Sequence, residues 1–464
     1  MFIFIFLPIM LIGYFWLLHK RLVLGSKVWL VGGSLFFYGF WNIIYIPLLL
    51  ASIFINFFVG AAMADAPQTD ERAKLLKTFS SKKLLLFGIF FNIALLAYFK
   101  YTDFFLTNFN GIFGTNVPLT HIILPLGISF FTFTQIAFLV DAYKNEVKEV
   151  DLLRYMLFVT YFPHLLAGPI LHHKEMMPQF ASRWNFVLRW KNITSGLFLF
   201  SLGLFKKVII ADFFADYANY FYADTSALDM LQAWATSLSY TLQLYFDFSG
   251  YTDMAIGVSL LFNIRLPINF NSPYKATSIQ DFWRRWHMTL SRFLRDYIYI
   301  PLGGSRKGSM RTSINLMATF IIGGIWHGAG WTYVFWGFLH GMALVINHIW
   351  KSLGLKLPTV VAWFLTFNFV NLAWVFFRAP TWEDATTVVN MMFAWSEFNL
   401  DDIYESSVYW QVIIGILLTL LLKNSNQWAK MQKPKLNYDL LTALLLIIGI
   451  LSLSKVSEFI YFQF

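Results

Sequence analysis

The strongest restriction on the fold of this chain is a succession of apolar runs, each close to the length that crosses a lipid bilayer. A helix needs about 20 apolar residues to span the hydrocarbon layer. Such runs occur near Phe2–Leu18, Val28–Ile46, Pro47–Met63, Leu84–Tyr98, Ile122–Val140, Leu152–Leu171, Ile193–Ile210 and Ala233–Phe262. The second half adds Thr312–Trp326, Trp331–Trp350, Val360–Phe377, Tyr409–Leu422 and Leu440–Leu453. In hydrocarbon the backbone must satisfy its own hydrogen bonds, which leaves helices or closed barrels. Barrel strands alternate polar and apolar residues, and these runs do not. Of the 464 residues only 13% are charged and 58% are hydrophobic, whereas soluble domains average about 25% charged. The expected fold is therefore an all-α polytopic membrane protein, a single integral-membrane domain over 1–464, with about eleven to thirteen transmembrane and re-entrant helices. The absence of cysteine excludes disulfides and thiol nucleophiles. The opening Met1-Phe2-Ile3-Phe4 lacks the basic region of a cleaved signal peptide and reads as the start of a retained first span.

Bases in short loops mark the cytoplasmic side. By that rule 64–83, with Arg72, Lys74, Lys77, Lys82 and Lys83, and 423–435, with Lys423, Lys430, Lys433 and Lys435, are cytoplasmic. Segment 379–407 carries Glu383, Asp384, Glu397, Asp401, Asp402 and Glu405 without a base after Arg378 and suits the outer side, which also places the tail 455–464 outside. Segment 172–191 is basic, yet simple alternation would put it outside. Leu152–Leu171 is interrupted by Pro163, Gly168 and Pro169, so it is not expected to cross as one helix.

Charge concentrates in 265–311, with nine bases (Arg265, Lys275, Arg284, Arg285, Arg292, Arg295, Arg306, Lys307 and Arg311) against Asp281 and Asp296. Two readings fit this basic, re-entrant, cytoplasmic-side segment: a loop obeying the positive-inside rule, or a site for a phosphorylated ligand, which arginine suits through bidentate contacts. Within it, Ser278 can cap a helix with Asp281 as its capping-box partner. Trp283, Trp286, His287, Leu290 and Leu294 then share one face, opposite Asp281, Arg284, Arg285, Arg292 and Arg295. His287 is the titratable group of the apolar face, as a buried structural residue or a functional one. Pro301-Leu302-Gly303-Gly304 ends the unit in a turn.

The second histidine stands out more sharply. Gly323-Gly324-Ile325-Trp326-His327-Gly328-Ala329-Gly330-Trp331 sets an imidazole in an apolar run, where ionisable groups are expensive and usually functional. The steps Gly324/Gly328 and Gly337/Gly341 suit close helix packing. That accounts for the glycines but not for His327, which can act as general base toward a hydroxyl nucleophile. His340 lies about 220° from His327 on a continuous helical wheel, so the two are not expected to share a face. No metal site is expected, because no His-x-x-x-His or His-Glu-x-x-His spacing occurs.

Together, Asn271-Ser272-Pro273-Tyr274, Asp281-Phe282-Trp283-Arg284-Arg285-Trp286-His287 and Gly324-Ile325-Trp326-His327-Gly328 resemble the membrane-bound O-acyltransferase (MBOAT) superfamily. The likeness is to its alginate/peptidoglycan O-acetyltransferase branch. Leu124-Pro125-Leu126-Gly127-Ile128-Ser129-Phe130, Phe162-Pro163-His164-Leu165-Leu166-Ala167-Gly168-Pro169 and Tyr245-Phe246-Asp247-Phe248-Ser249-Gly250-Tyr251 extend it over most of the chain. The resemblance implies a ring of helices around a central tunnel in the bacterial cytoplasmic (inner) membrane. It implies acetyl-CoA docking from the cytoplasm, with Arg284, Arg285, Arg292, Arg295 and Trp326 as its contacts, and His327 and His287 as catalytic residues. The tail Phe459-Ile460-Tyr461-Phe462-Gln463-Phe464 resembles a C-terminal tyrosine motif of the branch. There Tyr461 would carry the acetyl group to a periplasmic SGNH-type acetyltransferase with a Ser-His-Asp site, which would pass it to a polysaccharide such as peptidoglycan or alginate. The lipid bilayer is the other expected partner, and nucleic acid is not one. From composition alone, a transporter or channel is the leading reading, and a scaffold that recruits the acetylating enzyme is a further alternative.

Overall fold

In the computed structural model, which describes residues 1–64, 80–147, 150–165, 168–226, 228–397, 407–431 and 436–453, every apolar run but one becomes a helix or most of one. The helices used below are α1 (Leu7–His19), α2 (Val23–Trp41), α3 (Ile46–Met63), α4 (Ser81–Phe113), α5 (Ile128–Tyr143), α6 (Leu152–Thr160), α7 (Phe162–Leu165), α8 (His173–Ala181), α9 (Trp190–Phe205), α10 (Asp212–Ala223) and α11 (Met230–Leu261). They continue with α12 (Ile279–Trp283), α13 (Met288–Leu294), α14 (Ser309–His327), α15 (Trp331–Ser352), α16 (Thr359–Arg378), α17 (Trp382–Met392), α18 (Val408–Leu421), α19 (Ser425–Met431) and α20 (Leu436–Leu451). Among the described residues, Phe2–His19, Val23–Trp41, Ile43–Met63, Ser81–Phe113 and Thr359–Arg378 are long and apolar enough to cross a bilayer. Shorter apolar helices are α5, α18 and α20. The chain is a multi-pass, all-helical membrane protein.

The exception is 152–171, which breaks as its prolines require. Helix α6 stops at Thr160, Tyr161 turns out with ψ 106°, and α7 restarts at Phe162. Pro163 has no N–H to offer and its ring would clash with the carbonyl four residues back, which ends α6.

The chain divides into two units, Met1–Leu197 with Ala255–Pro267, and Phe198–Met254 with Ile268–Phe464. In the first, α3 and α4 are joined by a reciprocal amide pair. Asn92 Nδ2 donates to Asn56 Oδ1 at 2.6 Å and Asn56 Nδ2 to Asn92 Oδ1 at 3.3 Å. Each amide also donates to the carbonyl four residues back, at 2.8 Å. Buried amides stay affordable in such a core only when paired in this way.

In the second unit the segment expected as one helix over 278–295 is two. Ser278 Oγ accepts from the Asp281 N–H at 3.1 Å and caps α12. The chain then turns through Arg284–His287, and α13 starts after His287. Arg284-Arg285-Trp286-His287 contains no glycine or proline to signal a stop. The break comes from tertiary bonds: the Asn271 N–H donates to the Arg285 carbonyl and the Met288 N–H to the Asn269 carbonyl, both at 2.9 Å. The apolar face nevertheless survives, since Trp283, Trp286, His287, Leu290 and Leu294 are all buried.

Helices α14 and α15 fold back on each other through Gly328-Ala329-Gly330, and their backbones touch. A Cβ on Gly324 would lie 2.3 Å from the Tyr333 carbonyl oxygen, and one on Gly337 would lie 2.4 Å from that of Phe320. The expected glycine steps thus serve close packing, with Gly341 set against Met317 in the same seam. Gly337→Ala is expected to cost about 1–3 kcal/mol through overpacking against rigid backbone. Gly32→Ala, where nothing lies within 4 Å, should be nearly neutral. Thermal unfolding of the two variants in detergent tests the difference.

Candidate active site

His327 is the last residue of α14, and Gly328 leaves the helix in extended conformation. The imidazole is buried, packed against Trp326 (ring centroids 4.8 Å apart), Trp336 of α15 (5.0 Å) and Phe377 of α16 (5.1 Å). Such aromatic walls exclude water from the ring.

His287 is fully buried and sits at the head of α13 with φ +40°, in the left-handed region. A non-glycine residue there carries strain of about 1–3 kcal/mol, a feature that gathers at functional sites. Asn269 supplies what holds it. Its Oδ1 accepts from His287 Nδ1 at 3.1 Å, from Thr289 Oγ1 at 2.9 Å and from the Thr289 N–H at 3.2 Å. An amide oxygen only accepts, so Nδ1 carries the proton and Nε2 is the basic nitrogen of the neutral ring. The rings of His287 and of Phe248 in α11 meet at right angles, with centroids 4.8 Å apart.

His340 is the residue that wheel geometry misplaced. It is fully buried, and both histidines rest on Trp336, His340 at 4.7 Å and His327 at 5.0 Å. The 220° separation assumed one continuous helix, but the chain reverses between the two residues, so they approach from opposite strands of a helical hairpin. The Gly328-Ala329-Gly330 turn was the signal for this. Trp283 Nε1 donates to His340 Nδ1 at 3.2 Å, which leaves the His340 proton on Nε2. An aromatic chain then links the two motifs: Trp286 to Trp374 at 5.1 Å, Trp374 to Trp336 at 5.7 Å, and Trp336 to His327.

A cavity of about 650 Å³ opens beside this cluster. Arg284, Arg292, Arg295 and Lys351 line it, with Trp283 and Phe320 among its apolar walls. Among the described residues no carboxylate lines it. Arg285 and Trp326 are not in its wall. Arg285 Nε instead donates to Asp281 Oδ1 at 2.9 Å, and Trp326 packs on His327. Along α14 the cavity reaches from Thr312 to Phe320. His327 follows seven residues later, about 10 Å further at 1.5 Å per residue. Along α15 it ends at Leu344, one turn before His340 and two before Trp336. The basic cavity and the buried imidazoles therefore lie in series, separated by Trp283, Phe320 and Trp336. The expected tail site, Tyr461, lies outside the described residues, as does the whole of 455–464.

Sequence reasoning also passed over a buried charge cluster. After α9 a π-helical turn, Lys206–Ala211, points two lysines at α10 and α11. Lys206 Nζ meets Asp253 at 2.8 Å, and Lys207 Nζ meets Asp212 at 2.7 Å and Asp247 at 2.8 Å. Gly203 and Gly250 let α9 and α11 touch, each Cβ position lying within 2.8 Å of the other's carbonyl oxygen. Asp247 directly precedes Phe248, so these ion pairs brace the helix that abuts His287. The available signal was two lysines and two aspartates within apolar runs, with Asp212 just past the end of one.

The sequence profile of the membrane-bound O-acyltransferase family matches residues 33–380. The peptidoglycan O-acetyltransferase of Helicobacter pylori is 46% identical, over 100% of this chain and 96% of its own. A protein of Pseudomonas putida described as "Probable alginate O-acetylase AlgI" is 35% identical over 100% of this chain and 99% of its own. The teichoic acid D-alanyltransferase of Bacillus subtilis is 29% identical over 56% of this chain and 70% of its own. The motifs around His287 and His327 fall inside the matched region, and with relatives aligned from end to end the chain belongs to the membrane-bound O-acyltransferase family and is an O-acyltransferase.

Proposed function

We propose that this enzyme moves acetyl groups from cytoplasmic acetyl-CoA through the bacterial inner membrane for O-acetylation of a cell-envelope polysaccharide. Peptidoglycan is the favoured acceptor, because the full-length relative at 46% identity is a peptidoglycan O-acetyltransferase. The observation that carries the reading is the serial arrangement of a cationic cavity and a buried histidine about 10 Å beyond it. A phosphorylated donor suits the first and acyl transfer the second.

Arg284, Arg292 and Lys351 suit the phosphates of the donor as cationic groups of a cavity lined by no carboxylate among the described residues, and Arg295 joins them while paired with Asp296 at 2.7 Å. The aromatic floor admits a neutral thioester and resists charge. His327 takes the proton of the attacking hydroxyl, whose oxygen bonds to the acetyl carbon as the carbon–sulfur bond breaks. His327 then returns the proton to the departing sulfur, so an ester and a thiol replace a thioester and an alcohol. His287, held with Nε2 as its basic nitrogen, orients the reacting groups. The hydroxyl is assigned to Tyr461, from which a periplasmic SGNH-type partner with a Ser-His-Asp site takes the acetyl group to the polymer.

His327→Ala is expected to lower acetyl-CoA turnover about 10²–10⁴-fold, read as thiol release by the purified protein. Unchanged turnover would remove His327 from the chemistry. Arg292→Ala should raise KM for acetyl-CoA about ten- to hundred-fold, as loss of a charged hydrogen bond predicts, with kcat largely kept. An equal KM would place the phosphates elsewhere. Incubation with isotopically labelled acetyl-CoA followed by peptide mass analysis should find label on Tyr461. If Tyr461→Phe cells keep fully acetylated peptidoglycan, transfer bypasses the tail.

A further inference from the structure

A second cavity, about 770 Å³, lies between α15 and α16 and meets the donor cavity at Asn347 and Lys351. Its walls include Met342, Ile346, Leu365 and Phe369. The first three are exposed although large and apolar, Ile346 by 55% and Leu365 by 53%. Its mouth carries Lys351 and Lys356, together with Trp350. Among the described residues no acid lines it. Thr359, the first residue of α16, is in its wall, so the positive end of a 20-residue helix borders the cavity. Along α16 the lining runs from Thr359 to Phe369, about 15 Å at 1.5 Å per residue, half of a ~30 Å hydrocarbon layer.

We infer that this groove holds one anionic glycerophospholipid of a single leaflet, its phosphate at Lys356 and the N-terminus of α16 and an acyl chain along Ile346 and Leu365. The position fits. Helix α16 is long and apolar enough to cross a membrane, and the stretch 351–358 before it, the last residues of α15 and the linker, carries two lysines and no acid, as cytoplasmic ends do. Basic pockets between spanning helices on that side bind anionic headgroups, and tryptophan belongs at the headgroup level. A volume of this size lies within the range of specific ligand sites, whereas a flat lipid-facing surface would select no headgroup. Lys351 also lines the cavity assigned to the acetyl donor and donates to Gln280 Oε1. Lys356 and Leu365 line the lipid groove and not the donor cavity, so they test the groove separately.

The test is native mass spectrometry of the full chain in detergent, titrated with dioleoylphosphatidylglycerol or dioleoylphosphatidylcholine. A one-to-one adduct is expected, retained for phosphatidylglycerol and weak for phosphatidylcholine. Lys356→Ala should weaken the phosphatidylglycerol adduct about fivefold, the share of one lysine near an anionic headgroup. Ala362→Trp, which fills the groove, should abolish it while acetyl-CoA turnover persists. Equal retention of both lipids, phosphatidylglycerol binding unchanged in both variants, or displacement of the lipid by inorganic phosphate would each overturn the assignment. So would a disulfide-linked dimer of the Leu365→Cys variant in lipid nanodiscs, which would make the groove an interface between two copies.

Discussion

The backbone contact between Gly324 and Gly337 sets the distances on which the rest of the site depends. Side chains normally hold packed helices 8–10 Å apart. Here α14 and α15 approach until a Cβ on either glycine would strike a carbonyl oxygen or the facing backbone. That approach brings Trp336 within ring contact of His327 at the end of one helix and of His340 on the other. It also fixes the direction of the hairpin, so that its open end forms part of the wall of the basic cavity and its closed end carries His327. Widening the seam by one methyl group would shift both histidines against Trp336 and Trp374 together.

The polar groups of this unit obey a stricter economy than those of a soluble core. Each buried ion must find its partner inside the protein, because neither lipid nor the aromatic cluster can solvate it. The π-helical turn at Lys206–Ala211 meets that demand by presenting Lys206 and Lys207 together to Asp253, Asp247 and Asp212. The left-handed His287 meets it differently. Asn269 accepts three bonds on one oxygen, and those bonds offset the strain of the turn. In both places irregular backbone occurs where a polar side chain has to be aimed, as is common at functional sites.

How much could be read beforehand follows from where each signal resides. Spans α1 to α4 and α16 were visible because apolar length is local information, and the break at Pro163 was visible because proline acts on its own helix. The buried face of Trp283, Trp286, His287, Leu290 and Leu294 was legible from spacing alone. The interruption between α12 and α13 was not, since its cause lies in Asn269 and Asn271, more than a dozen residues away. The shared contact of His327 and His340 with Trp336 was lost by extending one wheel through a glycine turn. The basic segment was recognised as a whole, and of the four arginines expected at the donor three line the cavity. Arg284, Arg292 and Arg295 do, while Arg285 is drawn to Asp281 by a four-residue helical spacing that could itself have been noticed.

The separation of charge from chemistry follows from the same constraint. Arginines and lysines gather where the cavity is open, and beyond Trp283 and Phe320 the walls are aromatic and the titratable groups are imidazoles. Under the proposed function, this gradient would sort a donor that is anionic at one end and neutral at the other without a moving part. Its phosphates gain most at the mouth, and only the uncharged arm gains by going deeper. Imidazole suits the deep position because it exchanges a proton while neutral at rest, whereas a carboxylate or an amine there would require a buried counter-ion. The cluster around Lys207 has such counter-ions and is braced against helix α11, one packing layer removed from the histidines. Fixed charge therefore holds the scaffold, and the groups able to change protonation stand where the acyl group would pass.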